Sequence, residues 1–248
     1  MNKAVFGFVS TTALQQCLDR LLAYDFDSVV DSSDSRPSSQ PPFWDERYAA
    51  NDHLFGTEPN AFVASQAHRI SEGSDVVELA AGEGRTLAWL AEQRSARCTA
   101  VDFSTEALAE ADRWAERRDL PIETVEADVR RWRPEREWDA ILVTFLQLLP
   151  DERPTLYRRI QRSLRPGGIL IAEWFRPDHL TGSYDRLGPS SADRMVPEAE
   201  LRDAFAGDQI LQCTPADVTL AEGPLLRGRA AVVRLVVRRE EGRENHPE

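Results

Sequence analysis

The apolar positions of this chain fall alternately into short β-branched runs and into helical spacings. Val76, Val77 and Leu79 form a run of the kind that makes a buried parallel strand. Leu87, Leu90 and Ala91 then recur at the period of a helix. Further strands are expected over residues 97–103, 122–128, 138–145, 169–175, 209–220 and 229–238. The run at 138–145 is almost continuously apolar, which places it centrally. Helices are expected through Phe62, Val63 and Ala67, behind Ser104 as N-cap, and through Leu156, Ile160 and Leu164. One more covers 197–205, with Pro197 at its first position. Strands alternating with helices make this an α/β chain.

Two flanking segments differ from this pattern. Leu14, Cys17, Leu18, Leu21 and Leu22 suggest an amphipathic helix, followed by a polar Pro/Ser-rich linker that ends near residue 42. Ordered sequence is expected from Phe43 to residue 239, and residues 240–248 form a charged tail.

Candidate chemistry begins where the first strand meets its helix. Ala80, Ala81, Gly82 and Gly84 remove side-chain bulk there, and the glycines permit positive φ and close backbone approach. Strand, small-residue turn and helix is the layout of a nucleotide-binding crossover, whose ligand sits at the strand's carboxyl end. The positions after Gly84 are Arg85, Thr86 and Leu87, so the dinucleotide pattern G-x-G-x-x-G is not completed. An ordinary tight turn, or another ligand of the same fold, would also fit this stretch alone. The second strand ends in Asp102, 18 positions after Gly84. A carboxylate there has the acceptor oxygens to take both hydroxyls of a ribose. The third strand also ends in an acid, Asp128.

Composition narrows the ligand. With 248 residues, 42% hydrophobic and 29% charged, the chain has material for one full domain core. A net charge of −12 argues against a large nucleic-acid footprint and favours a small substrate. Cys17, Cys98 and Cys213 are scattered, with no C-x-x-C and no H-E-x-x-H. They read as reduced thiols of a cytoplasmic protein, with no metal expected. No apolar run approaches the roughly 20 residues of a membrane helix. Residues 4–9 behind Lys3 make a poor signal peptide.

The acid-and-glycine stretch Glu78 to Gly84 resembles the first motif of class I S-adenosylmethionine-dependent methyltransferases, acidic-x-Gly-x-Gly-x-Gly. Ala80 stands in place of the first Gly. The segments Trp44-Asp-x-x-Tyr48 and Gly56-Thr-x-Pro-Asn60 are similar to those of the small-molecule branch that includes tellurite-resistance and thiopurine methyltransferase-like proteins. The turn Arg165-Pro-Gly-Gly168 before an apolar strand is a further hallmark. The resemblance implies a Rossmann-like doubly wound sheet of seven strands, mostly parallel, with the last antiparallel. It implies S-adenosylmethionine as cofactor, with Glu78, Ala80, Gly82, Gly84 and Arg85 near its methionine end. Asp102 would take the ribose, Phe103 would lie against adenine, and Asp128 with the Val129 amide would read the adenine edge. Thr144, at the end of the fourth strand, would face the methyl-transfer region, and Trp44, Tyr48, Phe55 and Gly56 would form a lid.

The expected reaction moves a methyl group from sulfonium to a small acceptor, either a soft S, Se or Te nucleophile or another small metabolite. Catalysis would rest on proximity and alignment. Gln147, Arg176, His179, Tyr184 and Arg194 are candidate substrate contacts. Glu173, His179 and Tyr184 are candidate bases by location, and no base stands out. Many relatives carry a His near Gln147, which this chain lacks. A non-catalytic regulatory protein that keeps the cofactor, and an NAD-dependent oxidoreductase, are the two alternative readings.

Overall fold

The computed structural model describes residues 37–240. The expected helix at 13–22 and the tail beyond residue 240 lie outside the described residues. Helix α1 (Pro41–Ala50) opens the fold behind a 3₁₀ turn at Pro37–Ser39. Helix α2 (Ala61–Gln66) leads into strand β1 (Asp75–Leu79). Then follow α3 (Arg85–Arg94), β2 (Arg97–Asp102), α4 (Thr105–Arg118), β3 (Ile122–Glu126) and β4 (Trp138–Thr144). Helix α5 (Arg153–Ser163), β5 (Leu164–Phe175), α6 (Asp178–Thr181), α7 (Glu198–Ala204), β6 (Gln209–Glu222) and β7 (Leu226–Arg238) complete it.

The strands form one seven-stranded sheet in the order β3-β2-β1-β4-β5-β7-β6. Neighbours from β3 to β5 are parallel, and β7 runs antiparallel to both β5 and β6. The chain winds outward from β1 to β3, then returns to the other side of β1 as β4. That reversal opens a crevice at the carboxyl ends of β1 and β4, the switch point where ligands of such sheets bind. β4 is the fourth strand of the seven, as its apolar run requires.

The period-2 alternation along the strands sorts the core onto two faces. Val77, Leu79, Ile141 and Val143 pack with Leu156, Ile160 and Leu201 on one face. Val76, Ala100 and Leu142 pack with Phe62, Leu87, Leu90 and Ala111 on the other. Ser104 caps α4 through Oγ, which accepts from Ala107 N at 3.2 Å.

Several boundaries differ from expectation. Helix α1 starts at Pro41, so the Pro41-Pro42 pair at the end of the linker is the helix's first turn; fixed φ suits proline there. Pro197 is the N-cap of α7, one place before the first helical position, with extended φ −71° and ψ 142°. β5 begins at Leu164, and the Arg165–Gly168 turn is accommodated as a register shift against β4 between Trp138 and Ala140. The reason is close backbone approach: a Cβ on Gly168 would lie 2.8 Å from Arg165 O and 3.1 Å from Trp138 O.

Candidate functional site

A solvent-open cavity lies over the carboxyl ends of β1, β2 and β4. Its floor is the turn after β1. Ala80, Gly82 and Gly84 all take left-handed φ, of 57°, 54° and 70°. Glycine accepts this freely, whereas Ala80 carries a strain of about 1 kcal/mol. The turn is laced to β2: Gly82 N donates to Asp102 Oδ2 at 2.8 Å and Ala81 N to Val101 O at 3.1 Å. A Cβ on Gly82 would meet Tyr48 Oη at 2.7 Å. Gly84 lies behind the floor against α4, where its Cβ would meet Ala111 Cβ at 3.0 Å.

Three acids project from successive strand ends into this cavity. Glu78, on β1, is 2% exposed. Its Oε1 accepts from Thr144 Oγ1 at 3.2 Å, and its Oε2 is buried without a donor. Burial pushes the carboxyl up to about 7, against the lowering influence of Arg85 and Thr144. Asp102 is likewise buried and raised, mainly by desolvation. Its oxygens accept Gly82 N and, at 2.9 Å, Ser104 N. Each oxygen keeps a second lone pair, so further donors can still be taken. Asp128, two residues beyond β3, is held by Arg130, with Nε 2.9 Å from Oδ1 and Nη2 2.8 Å from Oδ2. Phe103 and Val129 line the same end.

The upper wall is aromatic. Trp44, Tyr48 and Phe55 form a triangle with ring centroids 6.2–6.3 Å apart. Helix α1 is docked by Asp45, whose Oδ1 accepts from Ser104 Oγ at 2.6 Å. Gly56, at φ +79°, allows the chain after Phe55 to meet the β6–β7 turn: a Cβ there would lie 3.0 Å from Gly223 N. Gly223, at φ +68°, is the reciprocal half, since its own Cβ would lie 2.7 Å from Leu54 O.

Beneath this wall is a buried polar network. Asn60 Nδ2 donates to Glu173 Oε2 at 3.0 Å and Glu222 Oε1 at 2.9 Å, while its Oδ1 caps α2 through Val63 N. Arg234 Nε donates to Glu173 Oε1 at 2.7 Å. Arg85 pairs with Glu222 and donates to Glu58 O at 2.6 Å.

Residues 76–168, from β1 to the Gly167-Gly168 turn, match the family model described as a methyltransferase domain. This stretch is similar to a methyltransferase domain. The trans-aconitate 2-methyltransferase of Azoarcus sp. (strain BH72) is 36% identical over 134 residues, covering 53% of this chain and 47% of that protein. The chain thus spans about half the length of the curated relatives it matches. Among solved structures, TehB from Haemophilus influenzae superposes with TM-score 0.63 at 18% identity, over 81% of this chain and 67% of that one. N-methyltransferase NodS from Bradyrhizobium japonicum, in complex with S-adenosyl-L-homocysteine, gives TM-score 0.57 at 19% identity over 79% and 97%. Both share the fold of the methyltransferase domain.

Around that domain, the structure brings together most of the residues singled out from sequence. Trp44, Tyr48, Glu78, Ala80, Gly82, Arg85, Asp102, Phe103, Asp128, Val129, Thr144 and Gln147 line the one cavity; Gly56 and Gly84 stand behind its wall and floor. Arg176, His179 and Tyr184 do not line it. Arg176 pairs with Asp178 and Asp217, and Tyr184 Oη donates to Asp217 Oδ1 at 2.7 Å. His179 is buried, its Nδ1 accepting from Ala231 N at 3.2 Å and its Nε2 donating to Leu187 O at 2.9 Å. Both nitrogens are used in a neutral ring, and burial lowers its pKa further. Glu173 is committed to Asn60 and Arg234 and also lies outside the cavity lining.

Other lining residues carried no recognisable signal. Ser38 and Ser39 belong to the Pro/Ser-rich stretch, yet Trp44 Nε1 donates to Ser38 O at 3.0 Å and Arg130 Nη2 to Ser39 O at 2.9 Å. Glu83 lies between two motif glycines, buried, with its carboxyl raised by burial against the lowering influence of His53 and of the Phe55 and Leu54 backbone. Its position inside the glycine turn was the one available hint. Among the described residues, no three His, Cys, Asp or Glu are grouped to hold a metal ion, and no helix is long and apolar enough to cross a membrane.

Proposed function

We propose that this protein is an S-adenosylmethionine-dependent methyltransferase that acts on a small molecule. The observation that carries the reading is the convergence of Glu78, Asp102 and Asp128, from the ends of three adjacent strands, on one cavity floored by left-handed small residues. The residues fit the cofactor on two counts. Glu78 Oε2 is a buried acceptor without a donor, suited to the ammonium of the methionine portion. At Gly82 a side chain would fill the cradle. When bound, S-adenosylmethionine supplies a methyl group already activated on sulfonium sulfur.

The chain's own residues then orient and exclude water. Asp102 takes the ribose hydroxyls on lone pairs left open by Gly82 N and Ser104 N. Asp128 and the Val129 backbone meet the adenine edge beside Phe103, with Arg130 fixing the carboxylate. Tyr48, Trp44 and Phe55 would shield the cationic centre from water with an aromatic wall. Arg85 is held by Glu222 and acts as a positioning residue for the floor. No tightly packed base is needed for an in-line transfer governed by alignment. The buried thiols Cys98 and Cys213 support a reducing, cytoplasmic setting.

Calorimetric titration tests this. S-adenosylmethionine and S-adenosylhomocysteine bind the wild-type chain, and NAD does not. Asp102→Asn weakens both sulfur nucleosides at least about tenfold, the loss of one hydrogen bond to a charged acceptor. Unchanged affinity would overturn the ribose assignment, and NAD binding would overturn the cofactor.

A further inference from the structure

We propose that the methyl acceptor is an amine, bound with its N–H donated to Gln147. This rests on the methyltransferase reading and narrows its substrate class.

The first observation is the charge of the cavity wall. Five carboxylates line it, those of Glu78, Glu83, Asp102, Asp128 and Glu152, against the guanidiniums of Arg85 and Arg130. Both cations are engaged, Arg85 with Glu222 and Arg130 with Asp128 and Ser39 O. Even with Glu78 protonated, the carboxylates outnumber the cations two to one. A carboxylate or tellurium oxyanion enters against that field. A thiol or phenol meets the same obstacle one step later, because its attacking form is the anion and nearby carboxylates disfavour its ionisation. An amine escapes both penalties. Its ammonium form is drawn toward the wall, and after losing a proton to water it attacks as a neutral nitrogen. The nitrogen lone pair forms the N–C bond as the C–S bond breaks, the sulfur departs as a neutral thioether, and the resulting methylammonium releases its proton to solvent.

The second observation is an acceptor atom that lacks a donor. Gln147 lines the cavity, and its Oε1 is buried with no hydrogen-bond partner. The residue is held firmly. The buried Arg194 donates Nη1 to Gln147 O at 3.1 Å and Nη2 to Ser39 Oγ at 2.8 Å. Two residues earlier, Phe145 takes φ +54°, fixed by its N–H to Glu173 O at 2.8 Å and by packing on Phe175 at 5.3 Å. A non-glycine residue in that conformation, just past the end of β4, redirects the chain along the cavity wall. Ser38, 8% exposed, adds a second buried oxygen without a partner, its hydroxyl Oγ. Uncharged acceptors in a cavity whose lining also includes Phe55, Leu146 and Leu148 suit the N–H of an arylalkylamine.

The test uses the full chain saturated with S-adenosylhomocysteine, titrated with benzylamine, phenethylamine, benzyl mercaptan, phenylacetate and trans-aconitate. Turnover of the same compounds with S-adenosylmethionine is read as S-adenosylhomocysteine release. The amines bind and are methylated, with kcat/KM at least about tenfold above the thiol and the carboxylates. Gln147→Leu raises the amine KM about tenfold or more, the loss of one hydrogen bond to a charged donor. Gln147→Glu, which keeps the acceptor oxygen, retains amine affinity, and both variants keep cofactor affinity within about twofold. Preference for the thiol or a carboxylate overturns the proposal, as does equal loss of amine binding in Gln147→Glu and Gln147→Leu. S-adenosylhomocysteine binding with no amine bound overturns the amine assignment and leaves the methyltransferase reading standing. No cofactor binding at all overturns the reading beneath it.

Discussion

Replacing Glu78 by Gln should stabilise the ligand-free protein, and more so as pH rises. Glu78 is 2% exposed, with Thr144 Oγ1 on one oxygen and no donor on the other. Its carboxyl is raised from 4.5 to about 7, chiefly by burial. The sign follows from proton linkage. A carboxyl raised in the folded state binds its proton more tightly there than in the unfolded chain. Its contribution is fully favourable below pH 4.5 and is lost as pH rises toward 7. At 1.36 kcal/mol per pH unit, the penalty carried by Glu78 grows from about 1 kcal/mol at pH 5 to about 3 kcal/mol at pH 8. Glutamine preserves shape and a hydrogen bond to Thr144 but has no charge to desolvate. Urea unfolding of both proteins at pH 5 and pH 8 reads the difference directly, provided the m-values agree. The expected result is a Glu78→Gln advantage about 2 kcal/mol larger at pH 8 than at pH 5. The same advantage at both pH values, or a less stable variant at pH 8, would refute the reasoning. The substitution should also weaken S-adenosylhomocysteine binding above pH 7, because the stored penalty is the acceptor offered to the ligand's ammonium.

Three further outcomes follow from the packing around the site. Gly223→Ala forces a Cβ against Leu54 and Gly56 at positive φ, and should cost about 2 kcal/mol or more in urea unfolding while loosening the aromatic wall, read as raised Trp44 quenching. Asn60→Ala removes the α2 cap and the donor shared by Glu173 and Glu222, and should cost about 2–4 kcal/mol, measured by chemical denaturation at pH 8. His179→Ala should lower stability by about 1–3 kcal/mol while leaving S-adenosylhomocysteine affinity unchanged by calorimetry, since both ring nitrogens serve backbone groups outside the cavity. A His179 variant of normal stability with weakened ligand binding would restore it to the site.

By itself the sequence determined the alternating elements and the floor of the site. Apolar period marks strand and helix because burial demands it locally, and small residues after β1 mark a turn that bulkier ones could not make. Acids at strand ends are legible for the same reason, as polar groups standing where an apolar run stops. Asp102 and Asp128 could therefore be placed from spacing, and both reach the cavity with Glu78.

What lay across the sheet was decided by tertiary structure. Glu222 and Gly223 sit more than 130 residues after Arg85 in the chain yet hold it and the aromatic wall, a pairing set by the β7–β6 hairpin. Ser38 and Ser39 read as linker because their composition is that of a linker, and only Trp44, Arg130 and Arg194 draw them into the wall. Arg176, His179 and Tyr184 follow the same strand edge as a ligand loop would, but the loop folds back on β6 and β7, where Asp217 and the backbone of Ala231 satisfy them. Local pattern reports which residues are buried or polar. Which polar groups end up facing one another depends on contacts distant in sequence, and those exist only once the sheet has closed around them.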